Sequence, residues 1–365
     1  MKKIIIILII FSLIFTSFLI LKKEEKANKN ISVILETEAG NIKSNTFPNK
    51  NDYEYLNTEC ENTSDFINTI FNENTWKLNL SVEEKSIDGN FNCTVYFKEK
   101  IKKATEVIKT KDEVEKIIHT PDNSLQNIFN EETIEYRYRG KEVDNYVKFN
   151  DELYRIIGKF KVEDGYGKET EMIKIIKSEP YRSYKYDEKN YHNWARPSTL
   201  NTILNITFYN SLKEDCRKLI GEVKYYLGGY KTTEINTKNM WRYERKKSGS
   251  DYYYESNPKT WIGKVALMYA SDYGYAGDSS CEDLNLFNYD KCNNNWLNIN
   301  GKEWVLSPYA LYSYSNFHIS FGTVGTAGVS LDQKIMGVRP TFYLINETNI
   351  TSGNGTIKKP YILSL

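Results

Sequence analysis

Apolar residues recur along this chain in several distinct rhythms, and each predicts a different kind of element. The first is unbroken. Ile4 to Leu21 runs 18 residues without a charge, and as a helix it would be about 27 Å long, close to the roughly 30 Å hydrocarbon core of a bilayer. Lys2 and Lys3 precede it, and neither a small-x-small cleavage pattern nor a lipobox cysteine closes it. Residues 1–30 are therefore expected to be a signal anchor and a polar spacer, with a cleaved signal peptide as the alternative. The protein would then cross the cell membrane once, with its C-terminal part extracellular.

The second rhythm has period two. Ile31-Ser32-Val33-Ile34-Leu35 and Phe91-Asn92-Cys93-Thr94-Val95-Tyr96-Phe97 alternate β-branched and aromatic residues with polar ones, which predicts strands, neighbours in one small sheet. A β domain over residues 31–99 would have a thin core, so Cys60 is expected to bridge Cys93, worth roughly 3–4 kcal/mol in the chain-entropy estimate. From 100 to 145 the rhythm changes again. Ile101, Val107-Ile108, Val114, Ile117-Ile118, Leu125 and Ile128-Phe129 recur at three, four and seven, which predicts one or two amphipathic helices forming a linker.

Residues 146–365 read as the main domain. Val147-Lys148-Phe149 and Leu153-Tyr154-Arg155-Ile156-Ile157-Gly158 flank Asn150-Asp151, the composition of a hairpin turn. Ser198 is placed to cap a helix carrying Leu200, Ile203, Leu204, Phe208 and Leu212 on one face. Ser211 and Glu214 have capping-box spacing for a second, with Leu219, Ile220 and Val223 inward, ending at Gly228-Gly229. Apolar runs broken by Gly and Pro predict short strands around Ile262-Gly263, Ser271-Asp272-Tyr273-Gly274-Tyr275-Ala276, Trp304–Pro308 and Gly337–Leu344, and a glycine turn at Ser352–Thr356 before Pro360–Leu363. The expected core includes Trp194, Leu204, Phe208, Ile262, Leu267, Trp304, Leu306, Val338 and Phe342.

Charge and motifs narrow the function classes. Lys+Arg of 49 against Asp+Glu of 48 leaves no global field to draw the protein to nucleic acid. No H-E-x-x-H, C-x-x-C, G-x-S-x-G or phosphate-cradling glycine loop occurs, so no catalytic, cofactor or metal residues are assigned. Acids of the 272–290 stretch (Asp272, Asp278, Asp283, Asp290) could ligate calcium, but solvated loop acids are the preferred reading. Of the five cysteines, Cys281 and Cys292 lie close enough in sequence to pair, and Cys216 reads as a small buried hydrophobe. Twenty-nine tyrosines include runs at 252–254 and 309–314 that would present flat rings to sugar or peptide.

Taken together, Trp194 with Ser198-Thr199-Leu200 and Leu204-Asn205, Gly337-Val338-Arg339-Pro340-Thr341-Phe342-Tyr343-Leu344, and the closing Ser352-Gly353-Asn354-Gly355-Thr356 resemble an uncharacterised domain family of bacterial surface proteins. That family is regarded as a relative of the C-type-lectin-like fold of formylglycine-generating enzymes. Asn354 stands where the family usually carries an aspartate. The resemblance covers roughly residues 146–365 and implies an α+β fold, a twisted antiparallel sheet with two helices. It also implies that the excursion after Ala276, fixed by a Cys281–Cys292 bridge, faces ligand, with Asp272, Tyr273, Tyr275 and Asp278 at its rim. The expected function is a membrane-anchored extracellular binding or adhesion protein for a carbohydrate or protein ligand. The alternatives are an enzyme of the formylglycine-generating type, using Cys281 or Cys292, and a structural surface subunit.

Overall fold

The structure, a computed structural model of the 365-residue chain, describes residues 29–37, 40–61, 67–82, 91–121, 132–255, 257–330 and 335–365. The expected anchor Ile4–Leu21 lies outside these residues, as do Leu125, Ile128 and Phe129. Among the described residues no helix is long and apolar enough to cross a membrane, and the single-pass membrane arrangement is corrected on that finding.

The chain forms two compact units, one ending at Lys100 and the other starting at Ile101. In the first, strands Gly40–Ser44, Lys29–Thr37, Phe91–Glu99 and Tyr53–Glu61 lie side by side in that order. Lys29–Thr37 and Phe91–Glu99 run parallel, with Val33 opposite Val95 and Leu35 opposite Phe97. Val33, Val95 and Phe97 are buried there under Phe47, Tyr55, Phe71 and Trp76. Cys60 and Cys93 are cross-strand partners and are joined by a disulfide.

The second unit is built on a ten-stranded sheet. Its main path runs Val265–Ala266, Thr341–Leu344, Glu169–Lys177, Glu152–Glu163, Tyr146–Phe149, Tyr361–Ser364, Asn349–Ser352 and Lys102–Lys103. Glu152–Glu163 pairs first with Tyr146–Phe149 across a turn whose Asn150 and Asp151 have φ of 54° and 62°, the left-handed pair that a two-residue hairpin requires. Against Glu169–Lys177 on one edge its register shifts between Ile156 and Gly158, and on the other edge it pairs from Gly158 with Thr133–Tyr138 in place of Tyr146–Phe149. Gly158 makes the switch possible: a Cβ there would lie 2.2 Å from the carbonyl oxygen of Tyr136.

Three expectations are corrected here. The α+β, C-type-lectin-like class gives way to a mostly β structure, with 45% strand and 16% helix among the described residues. Among the described residues of 100–145, the expected helical linker is helical at Ala104–Ile108; Val114–His119 and Thr133–Tyr138 pair with each other and extend the large sheet. The pattern misled because Thr133–Tyr138 turns charged Glu135 and Arg137 inward, so its buried face is not apolar. The segment 270–276, expected as strand, is a helix with every residue buried.

The predicted helices are short. Ser198 accepts from the Asn201 amide at 3.2 Å, and the helix it caps turns at Ile203–Phe208 into a π segment. Asn205 there pairs its side-chain amide with the backbone of Val265, at 2.8 and 3.0 Å, and so seals that edge of the sheet. The second helix spans only Glu214–Leu219 and lacks a side-chain cap, because its N-cap position is Lys213, which offers no acceptor, while Ser211 lies outside it and donates to Phe208 O. Of the expected core, Ile262 is exposed, since its strand pairs only with Val223–Tyr226. The other eight named side chains are buried in the main core.

Candidate binding cleft over a buried ion network

The alternation of side chains along Thr133–Tyr138 puts Glu135 and Arg137 on the same inward face. Both are buried, and Lys174, Asp272, Glu244 and Arg245 join them from three other segments. Arg137 Nε donates to Glu135 Oε2 at 2.7 Å and its Nη1 to Asp272 Oδ1 at 2.9 Å. Lys174 Nζ donates to Asp272 Oδ2 at 2.6 Å, and the Tyr269 amide donates to the same oxygen at 2.9 Å. Trp241 Nε1 donates to Glu135 Oε1 at 3.0 Å, while His119 Nε2 lies 3.1 Å from Oε2. Glu244 accepts from the Ser271 amide (3.1 Å), the Ser307 hydroxyl (2.6 Å), Arg245 Nη1 (3.2 Å) and the Ser271 hydroxyl.

Two helices bring these groups together. Thr237–Glu244 is capped by Asn236, which accepts from the Asn239 amide, and carries Trp241 and Glu244 on its buried side. Ala270–Ala276 carries Ser271 and Asp272. The two approach at Gly274, where a Cβ would sit 2.3 Å from Thr237 Oγ1.

Three carboxylates thus face three cations, all six side chains buried, and the direction in which each titration is pushed follows from burial and its neighbours. Burial alone would raise the Glu135 and Asp272 carboxyls. The Arg137 charge and the His119 hydrogen bond at Glu135, and Lys174 and Arg137 beside Asp272, instead hold both below the usual range, Glu135 well below it. Burial pushes Glu244 up against the pull of Arg245 and pulls Lys174 down against the pull of Asp272. Burial also lowers His119, outweighing Glu135, so the imidazole is neutral at pH 7. Its ring stacks on Trp241 at 3.4 Å between centroids and 5° between planes.

Above this network lies a cleft of about 410 Å³. Glu135, Trp241, Arg245, Tyr269 and Tyr343 form its buried base, and Glu132, Lys161, Glu163, Glu169 and Lys224 its more exposed mouth. Lys224 pairs with Glu163 at 2.7 Å, and Lys161 pairs with Glu169. The Arg245 guanidinium sits 4.4 Å from the centroid of Trp241, 5.1 Å from Tyr269 and 5.6 Å from Tyr226. Lys174 lies 4.4 Å from Tyr269 and 5.2 Å from Tyr343. Aromatic faces and carboxylates together hold these cations.

The expected rim is elsewhere, and three of its four residues are not at a surface. Asp272 is 1%, Tyr273 1% and Tyr275 3% exposed, because the helix carrying them is buried on all sides. Tyr273 donates to Gly322 O at 3.1 Å, and Tyr275 lies 4.9 Å beneath the Arg137 guanidinium. Asp278 alone is partly exposed; it accepts from the Ser280 amide and from Asn294 Nδ2 at 3.0 and 2.6 Å. Cys281 and Cys292 are buried and bridged. The excursion after Ala276 is pinned by buried Leu286, Tyr289, Trp296 and Leu297, with Trp296 Nε1 donating to Tyr138 O at 2.9 Å. Its anchors belong to the core, while Ser279, Ser280, Asp283, Phe287 and Asp290 along it are exposed. Among the described residues no group of three metal-ligating side chains gathers; Asp272, the first acid of the calcium alternative, is engaged by Lys174 and Arg137.

Sequence reasoning passed over Glu135, Arg137, Lys174, Trp241 and Arg245. A signal for the first two exists in Thr133-Ile134-Glu135-Tyr136-Arg137-Tyr138, which alternates charge with aromatic and β-branched residues as a strand does. No family model matches the chain, and neither does any curated protein or solved structure, so the resemblance drawn above rests on the sequence motifs alone.

Proposed function

We propose that the protein is a ligand-recognition module working where disulfides persist, and that its ligand enters the cleft over the Glu135–Arg137–Asp272–Lys174 network. The observation that carries this reading is that network. Six ionisable side chains are buried under one opening, although apolar residues of similar volume would serve stability as well or better. Fixed charges and oriented aromatic rings beneath a cleft are what a recognition site needs and what a core does not. The two disulfides, Cys60–Cys93 and Cys281–Cys292, support an oxidising compartment. Recognition is favoured over the formylglycine-type alternative because both sulfurs of the 281–292 pair are bridged and buried, while a redox cysteine has to be an accessible thiolate.

A thermal-shift screen of small anionic, cationic and neutral compounds, with hits mapped by hydrogen exchange, tests it. Hits should slow exchange in Thr133–Tyr138 and Val223–Tyr226, and Val162→Trp, which fills the cleft from its wall, should abolish them. Hits that protect only other segments would sink the reading.

A further inference from the structure

Arg245 is 6% exposed and lines the base of the cleft. Only its Nη1 is hydrogen-bonded, to Glu244 Oε2 and, at 3.1 Å, to Trp241 O. Nε and Nη2, one edge of the guanidinium fork, have no hydrogen-bond partner among the described residues, yet neither is sealed from solvent. A charged donor edge this deep needs an acceptor, since leaving it without one is costly. The neighbouring acids do not supply it. Glu135 is taken by Arg137, Trp241 and His119, and Glu244 by Ser271, Ser307 and Nη1.

Two phenols add donors at the same place. The Tyr226 and Tyr343 hydroxyls line the cleft, make no hydrogen bond among the described residues and are not sealed from solvent. Burial raises both, Tyr343 well above its ordinary value, so they remain protonated and able to donate.

The geometry points to a carboxylate-binding subsite: the Nε/Nη2 edge of Arg245 takes a ligand's carboxylate in bidentate fashion, flanked by the hydroxyls of Tyr226 and Tyr343. This rests on the recognition reading above and names its ligand class, a small organic monocarboxylate. Two parallel N–H donors match the two oxygens of a carboxylate. A phosphate dianion is disfavoured by the mouth, where Glu132, Glu163 and Glu169 outnumber Lys161 and Lys224, and both lysines are already paired. Trp241, Tyr269 and Tyr343 at the base and Phe160 and Val162 among the lining give the rest of the ligand ring faces and apolar atoms to pack against.

The test is calorimetric titration of the full chain with four probes sharing one ring: phenylacetate, phenyl phosphate, 2-phenylethanol and phenethylamine. Phenylacetate should bind saturably and at least tenfold tighter than the other three. Arg245→Gln should weaken it about tenfold to a hundredfold, as loss of a charged hydrogen-bond pair does. Arg245 is packed against Trp241, so Tyr226→Phe, which removes one hydroxyl from a half-buried ring, is the second variant, with an expected loss of about two- to tenfold. The proposal is overturned if 2-phenylethanol or phenethylamine matches phenylacetate, if phenyl phosphate binds more tightly, if both variants bind phenylacetate like the wild type, or if no probe binds at millimolar concentration. Should any probe still protect Thr133–Tyr138 from exchange, the carboxylate assignment fails while the cleft remains the recognition site.

Discussion

Replacing Asp272 by Asn removes the charge that holds two buried cations together while nearly preserving shape. In the wild type its two oxygens accept from Arg137 Nη1, Lys174 Nζ and the Tyr269 amide. An asparagine must turn its NH₂ toward one of the cations, setting donor against donor. Arg137 keeps its bond to Glu135, but Lys174 has no other hydrogen-bond partner among the described residues. Breaking one side of a buried pair costs roughly 3–5 kcal/mol, a large share of the ~5–15 kcal/mol that holds a typical domain folded. A pH signature separates this mechanism from simple misfit. Burial already pulls Lys174 down, and Asp272 opposes that pull. Without Asp272 the folded state prefers the neutral amine, while the unfolded chain still binds the proton up to about pH 10.4. The unfolded state then binds more protons, so the variant's stability rises as pH climbs toward that value, more steeply than the wild type's. Urea unfolding followed by tryptophan fluorescence at about pH 7 and about pH 9.5 measures both effects, and five of the six tryptophans lie in the large unit (Trp194, Trp241, Trp261, Trp296 and Trp304). In the double variant with Lys174→Met, an apolar side chain meets Phe160, Tyr269 and Tyr343, and about 1–3 kcal/mol should return. A single-variant loss below about 1 kcal/mol, or a double variant that is merely additive, would refute the reasoning.

Burial pulls His192 down to about 4, below its free value of about 6.5, so it is neutral in the fold and the unfolded chain takes up the proton first. Stability should fall as pH drops through that window, by roughly 3 kcal/mol at most from this residue, and His192→Gln should flatten the urea-midpoint profile there. Gly158→Ala would drive a methyl group to 2.2 Å from the Tyr136 carbonyl oxygen; a loss of about 1–3 kcal/mol or more in urea unfolding is expected, together with faster exchange in Thr133–Tyr138. Converting both Cys281 and Cys292 to Ser releases a loop closure worth roughly 3 kcal/mol in the entropy model and should speed proteolysis between Gly277 and Leu297, whereas unchanged cleavage would show that Leu286, Tyr289 and Trp296 alone hold the segment.

What the sequence made legible was local chemistry with a single structural solution. Asn150-Asp151 tolerates the left-handed backbone that its hairpin needs, and Ser198 presents a hydroxyl to an otherwise unbonded amide. Cys93 lies on a strand whose alternation was visible, and its pairing with Cys60 followed from the thin core of a small domain, although the Tyr53–Glu61 strand that carries Cys60 was not read. Helix length was not legible, because spacing says which residues can share a face but not that Asn205 will pair with Val265. The rim residues failed for a related reason. Tyr273 and Tyr275 were read from a glycine-punctuated run that suits strand, loop or buried helix, and only packing of Gly274 on Thr237 decides among them.

The cleft was hidden by a more general feature of the physics. A charged residue in a pattern is read as solvated because burying it alone is prohibitive, so Glu135 and Arg137 looked like an outer face. The compensation arrives from far along the chain: Arg137 meets Asp272 at a separation of 135 residues, Lys174 meets Asp272 at 98, and Trp241 meets Glu135 at 106. None of these segments is unusual alone. Each buries its charge only if the others are already in place, so the network is not visible in any single window of sequence. The same interdependence fixes the Arg245 edge. Nη1 is held by Glu244 and the Trp241 carbonyl while the ring of Trp241 lies beside the guanidinium, so the plane of the fork is set before any ligand arrives. A carboxylate entering the cleft therefore meets donors whose orientation folding has already fixed.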